Sequence, residues 1–100
     1  MKVLVLLLVT VLVLGCTSSS QEKSSKQIAE ENCVALCKQA SDLSNGPCLS
    51  DNIAEDWVCD VAHSPRGTVD NLPENQCTAF GKTAHHFVEV DESCNIIKSV

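Results

Sequence analysis

The sequence predicts an α+β domain: one N-terminal helix packed on a small, mainly antiparallel three-stranded sheet, stapled by three disulfides. Three observations carry that expectation. Apolar residues recur at helical spacing between Ala29 and Ala40. They alternate at strand spacing across Trp57–Val61 and again after Ala84. Six cysteines are spread over both kinds of segment. A chain of 100 residues whose aromatics are only Trp57, Phe80 and Phe87 has little apolar volume to bury, so covalent cross-links must supply part of its stability.

The chain opens with Met1-Lys2 and then runs from Val3 to Leu14 with Thr10 as the one polar residue. One positive charge followed by a short apolar run is the pattern of an export signal. A helix of that length covers about 20 Å, against a hydrocarbon core of about 30 Å, so the run is too short to span a bilayer. Val13-Leu14-Gly15-Cys16 resembles the lipobox of bacterial lipoproteins. The resemblance covers the first 16 residues and implies a signal peptide over 1–15, cut before Cys16, whose sulfur is acylated. It implies a chain held on the extracytoplasmic face of the cell membrane or envelope. Thr17 to Ser25, rich in serine and without an apolar residue, reads as a flexible tether, with a reach of roughly 15–20 Å. Residues 26–100 are then the folded domain.

Ser24 with Gln27 forms the sequence pattern of a capping box at a helix start, with Ser25 as the alternative cap one residue later. Ala29, Cys33, Leu36, Cys37 and Ala40 follow on one face, with Asn45-Gly46-Pro47 as the expected stop. Gly46 to Asp56 reads as a turn region held by Cys48. In Trp57-Val58-Cys59-Asp60-Val61, residues 57, 59 and 61 share one face and Val58 and Asp60 the other. Ser64 to Leu72 has no periodicity and reads as a surface loop. Pro73 to Phe80, closed by Gly81, suits a short helix with proline in its first turn. Ala84–Val90 and Cys94–Val100 are β-rich and separated by Asp91-Glu92-Ser93, a hairpin pattern.

Setting Cys16 aside leaves Cys33, Cys37, Cys48, Cys59, Cys77 and Cys94. An even set in an exported chain reads as three disulfides, with all pairings open. Cys33 and Cys37 point together from the helix and are expected to bond to other elements. A Cys-x-x-x-Cys helix tied to strands resembles the cysteine-stabilised αβ toxins and defensins in architecture, without their Cys-x-Cys strand. The alternative use of the thiols, structural zinc, lacks the short paired ligand spacing such sites need.

Charge and composition narrow the function. From Cys16 onward six basic residues face thirteen acidic ones. There is no basic patch with interleaved aromatics, which argues against nucleic acid as a partner. Anionic lipid would repel such a surface, which leaves attachment to the acyl anchor. An envelope protein is the candidate macromolecular partner, and no cofactor-binding motif is present. The leading expectation is a lipid-anchored binding or structural module.

Two constellations support an enzyme as the alternative. His63 is in phase with Cys59 and Val61, and His86 with Val88 and Val90, so the two imidazoles with Asp60 would form a metal site if those faces met. His85-His86-Phe87-Val88-Glu89-Val90 is similar to the histidine strand of transglutaminase-like cysteine enzymes. That resemblance implies His85 as base for a nucleophilic Cys33 or Cys37. Against it, Cys33 lies mid-helix, and Cys94–Val100 carries no aspartate to orient the imidazole. Arg66, the one arginine, reads as a surface residue or the partner of a nearby acid.

Overall fold

The computed structural model describes residues 22–100. The expected signal peptide, the lipobox-like segment with Cys16 and the first part of the expected tether lie outside the described residues. Helix α1 spans Ser25–Gln39 and is followed by strands β1 (Cys48–Ala54), β2 (Trp57–Val61), β3 (His86–Val90) and β4 (Ile96–Ser99). The fold is α+β with three disulfides, as expected, but the sheet is four-stranded and mixed, in the order β1-β2-β3-β4. β1 pairs antiparallel with β2, β2 parallel with β3, and β3 antiparallel with β4.

The helix begins where the capping pattern puts it. Ser24 Oγ accepts from the Gln27 backbone N–H at 3.2 Å, and the Gln27 side chain accepts from the Ser24 N–H at 3.0 Å. Its end is earlier than Gly46. The helix stops at Gln39, and Ala40 turns extended (φ −76°, ψ 145°) while donating back to the Cys37 carbonyl. Asp42 then accepts from the Ser44 N–H and hydroxyl, a local turn that competes with helix continuation. Gly46 keeps its left-handed conformation (φ 63°) for another purpose, swinging the chain into β1. A Cβ there would overlap the Asp70 carboxylate.

The extra strand is β1. Leu49-Ser50-Asp51-Asn52-Ile53 does not alternate and is poor in β-formers. It is a strand because the hairpin closes on β2 through Glu55-Asp56, with Ala54 opposite Trp57 and Asp56 in the left-handed region (φ 70°). Two register shifts mark its irregular sequence. The segment Pro73–Phe80 is helical only over Pro73–Asn75, as a 3-10 turn, and a second 3-10 turn occupies Thr68–Asn71.

The six cysteines pair as Cys33–Cys59, Cys37–Cys94 and Cys48–Cys77. The first two carry α1 onto the sheet. Between them lies the core: Ala29, Cys33 and Cys37 from α1 against Trp57, Cys59, Val61, Val88 and Val90. Every residue of β2 is buried. The alternation sets Val58 and Asp60 on a second face, and the crossover from Ala62 to His85 covers that face, where Val58 packs with Cys77 and Ala84. That covered face holds the site described next.

Candidate functional site

Residues Asp60, Glu89 and Lys98 form one row across the sheet face that points away from α1. The register puts Asp60 beside Glu89 and Glu89 beside Lys98. Cys48, opposite Asp60 on β1, continues the row and is bonded to Cys77 in the crossover. The next row holds Val58 beside Phe87. Phe80, held above by the turn at Gly81, meets Phe87 edge to face with ring centroids 5.3 Å apart. These residues, Cys48 excepted, line with Arg66 and Gln76 a cleft of about 600 Å³, a volume in the range of small-molecule sites.

Asp60 sits at the bottom. The residue is 9% exposed, and its Oδ1 is buried without a hydrogen-bond partner. Burial pushes the carboxyl up to about 7; the Glu89 and Asp70 charges add to the rise, and Arg66 opposes it. The cations stand at the rim. Arg66 donates to Glu89 Oε2 at 2.6 Å, to Asn71 Oδ1 at 2.8 Å and to the Asp70 carbonyl at 3.0 Å. Arg66 is thus the partner of a nearby acid, as its sequence context predicts, and pins the crossover to β3. Lys98 Nζ lies 5.8 Å from the centroid of the Phe87 ring.

A raised carboxyl makes stability fall with pH. Between the unfolded value of 3.8 and about 7 the folded chain holds a proton that the unfolded chain has released. Unfolding free energy therefore declines across that window and levels off above it. With water reaching the cleft, the decline is about 2–4 kcal/mol. Asp60→Asn, which keeps the shape and removes the charge, is expected to be more stable than the parent at pH 8 and similar to it at pH 4.5. Urea midpoints at pH 4.5, 6 and 8 check this, and parallel profiles for the two proteins would contradict it.

The histidines do not meet. The parallel register sets His86 beside Trp57 at the start of the two strands and Val90 beside Val61 at their ends. His63, beyond Val61, is therefore separated from His86 by most of a strand, and Asp60 faces the cleft on the opposite side of the sheet. His86 instead stacks on Trp57, with centroids 4.7 Å apart. His85 Nδ1 lies 2.7 Å from Asp56 Oδ1, and Asp56 also accepts the backbone N–H groups of His85 and His86. Hydrogen bonding to His85 holds the Asp56 carboxyl below its usual range. His63 sits between two acids, with Nδ1 2.9 Å from Asp70 Oδ1 and Nε2 3.0 Å from Glu92. The Asp70 bond raises its pKa, and burial of the ring works against the rise.

Cys33 and Cys37 are consumed in disulfides, so neither is a thiolate for His85 to activate. Cys48, Asp51 and Cys77 lie close enough together to suit a metal ion, but both sulfurs are in one disulfide and offer no thiolate. In the sequence Asp60 stands out only as an accessory carboxylate, and nothing marks Phe80, Glu89 or Lys98. The signal that singles out Asp60 is its place as the lone acid in Trp-Val-Cys-Asp-Val, out of phase with the core residues. No protein-family model, curated protein or solved structure matches the chain.

Proposed function

We propose that the protein is a lipid-anchored, extracytoplasmic binding module, held by Cys16 and presenting the Asp60 cleft to small ligands or to an envelope partner. The observation that carries the reading is the cleft itself. A buried carboxyl with one oxygen unpartnered, on a residue that lines an open, aromatic-walled cavity, costs stability and is accounted for by a ligand that completes its bonding. The closed disulfides support a module over a cysteine enzyme. The apolar leader, the small residue before Cys16 and the polar tether support the anchor. No helix among the described residues is long and apolar enough to cross a membrane, so an acyl anchor is consistent with them. Two or more acyl chains hold a protein on a bilayer stably where one does so marginally.

Intact mass of the membrane-extracted protein, alkylated with and without reduction, tests the reading. The expected result is an acylated chain beginning at Cys16 that gains six alkyl groups only after reduction. A thiol that alkylates without reduction would overturn it in favour of the enzyme, with His85 as the base to mutate. An unacylated soluble product would remove the anchor.

A further inference from the structure

The arrangement of the cleft points to the chemical class of its ligand, on the premise that the chain is a binding module. Two acids lie inside, Asp60 with an unpartnered oxygen and Glu89 with a side chain only 14% exposed. The cleft offers an aromatic wall, with Phe87 half-buried and Phe80 46% exposed. Each of these surfaces, Asp60 excepted, already holds a cation of the chain itself: Arg66 on Glu89, and the Lys98 ammonium over Phe87. An aromatic face attracts a cation through its quadrupole, and a buried carboxylate attracts one through charge and hydrogen bonding. The acidic excess of the chain draws cations toward it. We infer that the Asp60 cleft binds an organic cation, a primary ammonium on an apolar stem, with the ammonium on Asp60 and the stem against Phe80 and Phe87.

The ammonium must bond to the ionised carboxylate. The groups facing Asp60 are Glu89 from β3, Lys98 from β4, and Arg66 and Asp70 from the crossover; Arg66 favours ionisation, and ligand charge adds to it. Below neutral pH, binding therefore releases one proton from Asp60 to solvent, and affinity rises with pH up to about neutrality. Lys98 is the built-in competitor for the aromatic wall.

Calorimetric titration of the full membrane-extracted chain tests this with four probes: n-butylamine, Nα-acetyl-lysine methylamide, butyrate and n-butanol. Saturable binding of an amine is expected, at least about 10-fold weaker at pH 5.5 than at pH 8. At pH 6 its heat should depend on the buffer's ionisation enthalpy. Tighter binding of butylamine would identify free amines as the source, and tighter binding of the lysine derivative a peptide side chain. Asp60→Asn is expected to weaken the amine about 10-fold or more, and Lys98→Met, on an exposed position, to tighten it several-fold. Preferential binding of butyrate, or equal binding of butanol and butylamine, would overturn the cation assignment and leave the binding-module reading standing. No heat with any probe would overturn the assignment too, while the module reading is decided separately by mass and alkylation.

Discussion

Replacing Cys37 and Cys94 together by serine is expected to remove about 4 kcal/mol of stability, the largest loss from any single cross-link. The two residues are 57 apart in sequence, and closing so long a loop removes more entropy from the unfolded chain than closing the 26- and 29-residue separations of Cys33–Cys59 and Cys48–Cys77, each good for about 3.5 kcal/mol. Domains of this size have about 5–15 kcal/mol in total, so the double variant should lose roughly 15–30 °C in Tm. Cys94 also occupies the left-handed region (φ 65°) at the β3–β4 turn, a conformation that a side chain adopts at a cost and that the bond to Cys37 helps to hold. Thermal unfolding under non-reducing conditions measures the effect. A loss below about 1 kcal/mol would mean that the unfolded chain is not restrained by this bond.

Asp70→Ala is expected to cost about 3–5 kcal/mol. Asp70 is 1% exposed, and its Oδ2 accepts the backbone N–H groups of Gly67 at 2.8 Å and His63 at 3.0 Å. Alanine would leave both donors inside the loop without a partner, at about 1–3 kcal/mol each, and would open space beside Gly46. Burial pushes the Asp70 carboxyl up, but hydrogen bonds from Gly67, His63 and the His63 ring outweigh it and hold the value below the usual range. A depressed carboxyl stabilises the fold above its unfolded value of 3.8 and loses that contribution as pH falls through the folded value. The Asp70→Asn variant should therefore be less stable than the parent at neutral pH and close the gap in acid. Urea unfolding at pH 7 and pH 3 reads both effects. An Asp70→Ala loss under about 1 kcal/mol would show that the crossover is held by other contacts.

The helix was legible in the sequence because its signals are local. Ser24 and Gln27 lie within one turn, and Ala29, Cys33 and Cys37 repeat at helical period. The β2 and β3 segments were legible for the same reason. Strand β1 was not, since Ser50-Asp51-Asn52 becomes extended only against Trp57–Val61 and carries no period of its own. The parallel pairing of β2 with β3 is equally silent, because it is decided by how the Ala62–His85 crossover lies and not by either strand. Two functional groups were hidden by the same topology. Asp70 reads as one acid in an aperiodic loop, yet it is the most enclosed carboxylate in the described chain. Asp60 reads only as an accessory carboxylate on the second face of a strand, and becomes a buried acid because the crossover carrying Cys77 and Phe80 folds over it.

The sheet order has a consequence for how the molecule comes together. β1–β2 and β3–β4 are each local hairpins, and the parallel β2–β3 contact is a seam between two halves that no short turn joins. Cys33 and Cys37, one helical turn apart, bind one half each, through Cys59 and through Cys94. The helix is therefore a two-pronged clasp across that seam. Assembly of the seam involves contacts distant in sequence and is the slow, entropically costly part of folding. If the chain is exported N-terminus first, as proposed, it presents the clasp first, with the first hairpin next and the second last. The halves can be oxidised onto it in that order, so the last prong to close, on Cys94, is the one that commits the chain to its final form.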